Sequence, residues 1–124
     1  MKFTDICLIT EDVLNLRRFY ESIFGVDSEG DSVHSSLNIY GLRLAIYAKS
    51  AAESDMGFDF TGAGTGLFTI GFTVDDADVD FQRISSLGLC DVTPPHVWPW
   101  GAKSFRFPDI DGNIIIIRSL PTQV

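Results

Sequence analysis

Apolar and polar positions along the chain form two similar series. Ile6-Cys7-Leu8-Ile9-Thr10-Glu11-Asp12 lies over Ile70-Gly71-Phe72-Thr73-Val74-Asp75-Asp76, 64 residues further on. Each is a β-rich run closed by an acidic pair, followed by an amphipathic stretch that stops at Gly25 or Gly88. Acids suit the positive end of a helix and glycine suits its stop, so the pattern predicts strand, helix and glycine cap twice over. In the first helix Val13, Leu16, Phe19, Tyr20, Ile23 and Phe24 recur at steps of three and four, giving one wide apolar face. The second, from Asp75 to Leu87, spaces Ala77, Val79, Phe81, Ile84 and Leu87 less regularly.

After the first helix, the alternating runs 33–40 and 42–48 around Gly41 predict a hairpin. After the second come Asp91-Val92-Thr93, then 101–107 and 114–118, the last two joined by the turn signal Asp111-Gly112-Asn113. The chain thus reads as a single α+β domain over 1–124: module one over about 1–49, a Gly- and Ser-rich connector over 50–66, and module two over 67–120. The run Gly62-Ala63-Gly64-Thr65-Gly66 is followed by neither helix nor lysine, so it reads as a connector and not as a phosphate loop.

Composition narrows the function. Length (124 residues) allows one small body, and 45% hydrophobic residues supply a core. A net charge of −8 opposes phosphate backbones and anionic membrane surfaces, so no nucleic acid and no membrane is expected as partner. Cys7 and Cys90 lack metal-knuckle or CxxC spacing, which points to a reduced, cytoplasmic setting. The N-terminal Met1-Lys2-Phe3-Thr4-Asp5 does not read as a signal peptide.

Three segments together resemble the vicinal oxygen chelate superfamily, which includes glyoxalase I, bleomycin-resistance proteins and extradiol dioxygenases. They are 6–26 with Asp12 and Phe19-Tyr20, then Phe72-Thr73-Val74-Asp75-Asp76, and then Trp100-Gly101 followed by FRFPDIDGN at 105–113. The resemblance implies two βαβββ modules forming a curled mixed sheet around one cavity, and a homodimer. It also implies a divalent metal held from the first strand, the strand opening module two and the last strand, with a further glutamate near 45–47. Those positions fall here on Asp5, Thr69, Ile116 and the carboxylate-free Ala45-Ile46-Tyr47. His34, on the outer hairpin, and His96, in the Pro-rich loop, match none of them. A carboxylate, a hydroxyl and a hydrocarbon make a poor chelate, so the expectation is a site with no metal and no cofactor.

Period-two alternation from Asp5 and Thr69 turns Cys7, Ile9, Leu67, Gly71, Ile114 and Arg118 inward with them. The apolar set Ile6, Leu8, Phe68, Ile70, Phe72, Val74, Ile115 and Ile117 is left under the helices. Arg43, Ala45 and Tyr47 share a face. Ser104 and Arg106 alternate with Phe105 and Phe107, and either pair could face inward. Pro94-Pro95-His96-Val97-Trp98-Pro99-Trp100-Gly101 is a stiff loop whose flat rings offer a stacking surface or plug a sheet edge.

The candidate ligand-binding residues are therefore Asp5, Cys7, Tyr47, Thr69, Trp98, Trp100, Arg106, Ile116 and Arg118. The leading expectation is a metal-free protein of the bleomycin-resistance type that binds an aromatic or amphipathic small molecule. One alternative is a metal-dependent glyoxalase-like lyase or dioxygenase with a nonstandard ligand set around Asp5. The other is a metal-free enzyme using Asp5 as a general base, which desolvation would favour. Cys7 lacks a histidine to activate it and reads as packing.

Overall fold

Each half of the chain folds around the helix that its apolar stripe predicts. The computed structural model describes residues 1–121 and divides into two compact units, Met1–Ala63 and a second beginning at Gly64. The first contains β1 (Ile6–Thr10), α1 (Val13–Phe24), β2 (Ser28–Gly30), β3 (His34–Ile39), β4 (Leu42–Ala48) and α2 (Lys49–Asp55). The second contains β5 (Thr69–Thr73), α3 (Ala77–Leu87), β6 (His96–Val97), β7 (Lys103–Pro108) and β8 (Ile114–Ser119).

The two sheets share one topology. Their strand orders are β1-β4-β3-β2 and β5-β8-β7-β6, with the opening strand parallel to the last and the remaining pairs antiparallel. The result is an α+β chain of two βαβββ modules, each a mixed sheet carrying its helix on one face.

Local chemistry explains the helix bounds. The Asp12 carboxylate accepts the Asn15 N–H at 3.1 Å, and Asp76 accepts from Asp78 and Val79, so one acid of each predicted pair is an N-cap. Gly25 and Gly88 close the two helices in left-handed geometry. Val13, Leu16, Phe19, Tyr20 and Ile23 are buried, and α1 packs on β3 and β4. In α3 only Ala77 and Ile84 are fully buried, and Phe81 meets Phe105 edge-on at 5.6 Å between ring centres. Val79 and Leu87 are exposed, as befits a less regular stripe.

The structure adds one element and corrects two expectations. The connector 50–66 is not all loop: Lys49–Asp55 is helical, because its alanines favour a helix and Ala52 buries completely where α2 packs on β4 and β1. Asp91-Val92-Thr93 is not a strand. The Thr93 N–H donates to the Arg106 carbonyl, but the Arg106 N–H returns to the Thr93 hydroxyl, and Pro94-Pro95 then lack the donors a ladder needs. Pairing resumes only at the two residues of β6. Phe68, expected under a helix, precedes β5 and is 46% exposed, and Leu67 before it is also open.

Candidate functional site

In both sheets one face is covered by helix, and register sorts the expected site residues between that face and the opposite one. Paired residues on adjacent strands share a face, and residues two apart along a strand share it too. In the first unit Cys7 stands beside Ala45 and Ile9 beside Tyr47, while His34, Ser36 and Asn38 stand beside Tyr47, Ala45 and Arg43. Asp5, Cys7, Ile9, Arg43, Ala45 and Tyr47 therefore lie on the face opposite α1.

His34 opens β3 of the expected hairpin and belongs to that face as well. Its ring meets Tyr47 edge-on at 5.7 Å. Strand register decides this, and the spacing of the two histidines in the chain carried no sign of it.

Asp5 pairs with Arg43, Oδ2 to Nε at 3.8 Å, with both side chains partly open to solvent. It is thus the anion of an ordinary surface pair and not a carboxylate enclosed by hydrocarbon. Cys7 is exposed, which corrects the expectation that it packs as core. Desolvation around its sulfur, and then the charge of Asp5, push its thiol above the ordinary thiol range. It stays protonated at neutral pH, where only a thiolate would be nucleophilic. Alkylation of Cys7 by iodoacetamide, followed by mass spectrometry, should be slower at pH 7.5 than that of a free thiol and should accelerate only in alkali. Rapid labelling at pH 7 would reverse the assignment.

The second unit carries most of the expected binding residues on one open face. Its cross-strand rows read Thr69, Ile114 and Pro108; Gly71, Ile116 and Arg106; and Thr73, Arg118, Ser104 and His96. Phe105 and Phe107 are buried on the opposite side, so Ser104 and Arg106 take the open face. That resolves the alternation on this strand. No Asp or Glu occurs in these rows, although the chain has 17 of them.

The tryptophan loop is held at one end of this face. Trp98 donates its indole N–H to Ser104 Oγ at 2.7 Å. Trp98 and Trp100 stack nearly parallel, with ring centres 5.4 Å apart and planes 6° apart, and His96 meets Trp98 edge-on at 4.4 Å. Trp100 remains 70% exposed. Sequence reading missed the part played by Ser104, yet the turn at Asp111-Gly112-Asn113 could have revealed it. Folding the strands about that turn sets Pro108 opposite Ile114 and therefore Ser104 opposite Arg118.

Gly71 is the other residue whose part was not foreseen. A Cβ there would lie 3.1 Å from Arg118 Nη2 and 3.7 Å from Cζ, so the Arg118 guanidinium rests over the bare backbone of β5. Neither Arg106 nor Arg118 is ion-paired among the described residues, whereas Arg43, Arg83 and Lys103 each are.

The metal positions expected from the resemblance do not fit a divalent ion. The Asp5 carboxylate is shared with Arg43, Thr69 offers a neutral hydroxyl, Ile116 offers hydrocarbon, and the strand 45–47 has no carboxylate. Among the described residues no three of His, Cys, Asp or Glu gather as a metal site requires. Nor, among those residues, is any helix long and apolar enough to cross a membrane.

Comparisons agree with this architecture. A glyoxalase/bleomycin resistance protein/dioxygenase from Nocardioides superposes with a TM-score of 0.85 at 19% identity, covering 100% of this chain and 86% of that one. Lactoylglutathione lyase from Agrobacterium tumefaciens gives 0.73 at 20% identity over 95% and 92% of the two chains. The fosfomycin resistance protein FosX from Mesorhizobium loti gives 0.68 at 24% identity over 95% and 91%. At such identities the likeness is one of fold. No curated relative matches the chain. The family model for the Glyoxalase/Bleomycin resistance protein/Dioxygenase superfamily matches residues 2–117, and with that extent the chain belongs to this superfamily.

Proposed function

We propose that this protein binds an aromatic or amphipathic small molecule without using a metal ion, in the manner of the bleomycin-resistance branch of its superfamily. One observation carries the reading: two stacked indoles, one pinned to Ser104 and the other largely exposed, at the edge of an open sheet face. Exposed tryptophan is costly to leave in water, and a pre-stacked pair loses little entropy on receiving a flat ring. The donor set around Asp5 supports a metal-free reading, since its carboxylate already serves Arg43. The lyase and the antibiotic-resistance protein among the structural neighbours mark chemistries that the same fold can host, and fold alone does not choose between them. A cytoplasmic homodimer accompanies this reading.

Calorimetric titration with a panel of planar compounds, with tryptophan fluorescence followed in parallel, tests the reading. Saturable binding with quenching is expected, and Trp100→Ala should weaken it by about ten-fold, the loss of one stacking surface. A panel in which nothing binds, or a Trp100→Ala protein that binds as well as the native one, would overturn it. Stoichiometric zinc, nickel or iron in protein purified without chelator would favour the metal-dependent alternative.

A further inference from the structure

We infer that the ligand carries an oxyanion, a carboxylate or its like, and that Arg106 and Arg118 grip it on the open face of the second sheet. This rests on the ligand-binding reading above and names the chemical class of its ligand. Charge distribution is the first support. In a chain of net charge −8, two arginines stand on a face whose strand rows hold no acid, and neither has an ion-pair partner among the described residues. Two cations left without a counterion on such a face gain most from an anion that approaches from outside.

Register brings the two to a common point. Arg106 lies directly across from Ile116, and Gly71 lies on its other side. Arg118 is two residues further along β8, and its guanidinium leans back over Gly71. Arg106 on β7 and the Arg118 guanidinium over Gly71 therefore stand on either side of Ile116, an apolar position between two residues whose planar forks match an oxyanion bidentately. Ser104 adds a donor: its oxygen accepts the Trp98 N–H, so its own proton is left to give.

Scale agrees with chemistry. Ser104 on β7 and Gly71 on β5 are two strands apart, about 10 Å at ordinary strand spacing. A ligand with a fused ring on the indoles and a carboxylate between the arginines spans that distance. Gly71 leaves room for this arrangement: a Cβ there would stand 3.1 Å from Arg118 Nη2, so the guanidinium would have to give by a few tenths of an ångström.

The test compares 2-naphthoate with 2-naphthamide, which share ring and shape and differ in charge. Calorimetry on the native protein should show naphthoate binding about ten-fold or more tightly than naphthamide, as charge-assisted hydrogen bonds require, with a preference that shrinks as salt rises. Arg106→Gln/Arg118→Gln should abolish the preference and leave naphthamide affinity within about two-fold. Gly71→Ala should weaken naphthoate selectively while the protein stays as stable, and Arg83→Gln, in the Asp80 pair on α3, should change nothing. Equal affinities in the native protein, or a preference that survives the double substitution, would overturn the inference. If naphthamide binds and naphthoate binds no better, the oxyanion is wrong and the ligand-binding reading stands. If neither binds, both fall.

Discussion

Phe105→Ala should lower the stability of the chain by about 3–5 kcal/mol, whereas Arg106→Gln, its neighbour on β7, should leave it within about 0.5 kcal/mol. Phe105 is 2% exposed and touches Phe81 of α3 and Phe107 along its own strand. Its removal leaves a void between sheet and helix that surrounding side chains close only in part. Arg106 is exposed on the opposite face, with no ion-pair partner among the described residues. Urea unfolding of both variants measures the contrast. Comparable losses would mean that the alternation on β7 is wrong, and the open face built on Arg106 and Arg118 would be wrong with it. The contrast also frees Arg106 for binding, since a residue with no structural duty can be committed to a ligand without cost to the fold.

Asp109→Ala should cost about 2–4 kcal/mol, far more than a turn residue on the surface would. Asp109 is 5% exposed, and one of its oxygens accepts the backbone N–H groups of Asp111 and Asn113 while the other accepts the Asn113 side-chain amide at 2.8 Å. Alanine removes all three acceptor interactions and leaves the buried Asn113 amide wanting a partner, so the penalty is desolvation as well as lost bonding. The same carboxylate closes the turn that sets β7 against β8, and with them Ser104 against Arg118. Thermal unfolding should therefore move down by about 10 °C. A ligand that shifts the native melting point should shift that of the variant less. A loss under 1 kcal/mol would show that the backbone turn holds the register unaided.

Much of this was legible before folding. Asp12, Asp76, Gly25 and Gly88 announced both helices because capping is a local matter: a carboxylate reaches N–H groups two or three residues away, and glycine reverses the chain without help from the rest of the molecule. The same locality made 111–113 a turn. Local signals misled where long-range pairing decided the outcome. Thr93 reaches Arg106, thirteen residues on, yet the prolines that follow leave only a fragment of strand. The alanines at 51–52 became helical because a space against β4 and β1 accepts Ala52.

The candidate site divides in the same way. Its residue types were readable in the chain: indoles in a Pro-rich loop, arginines on alternating strands, and an isoleucine and a hydroxyl where the superfamily would place metal ligands. Which of them meet was not. The partner of Asp5 proved to be Arg43, and His34 came to face Tyr47. Arg106 came to share a face with Arg118, and Gly71 made room for a guanidinium from another strand.

By itself the sequence determined two repeated βα units, their helix caps and the buried stripe of the first helix, because each follows from side-chain identity at fixed spacing along one segment. Tertiary structure alone decided the cation-bearing face, the seat of the indoles and the exposure of Cys7. These depend on register between strands distant in the chain, where a slip of one residue would turn every side chain to the other side.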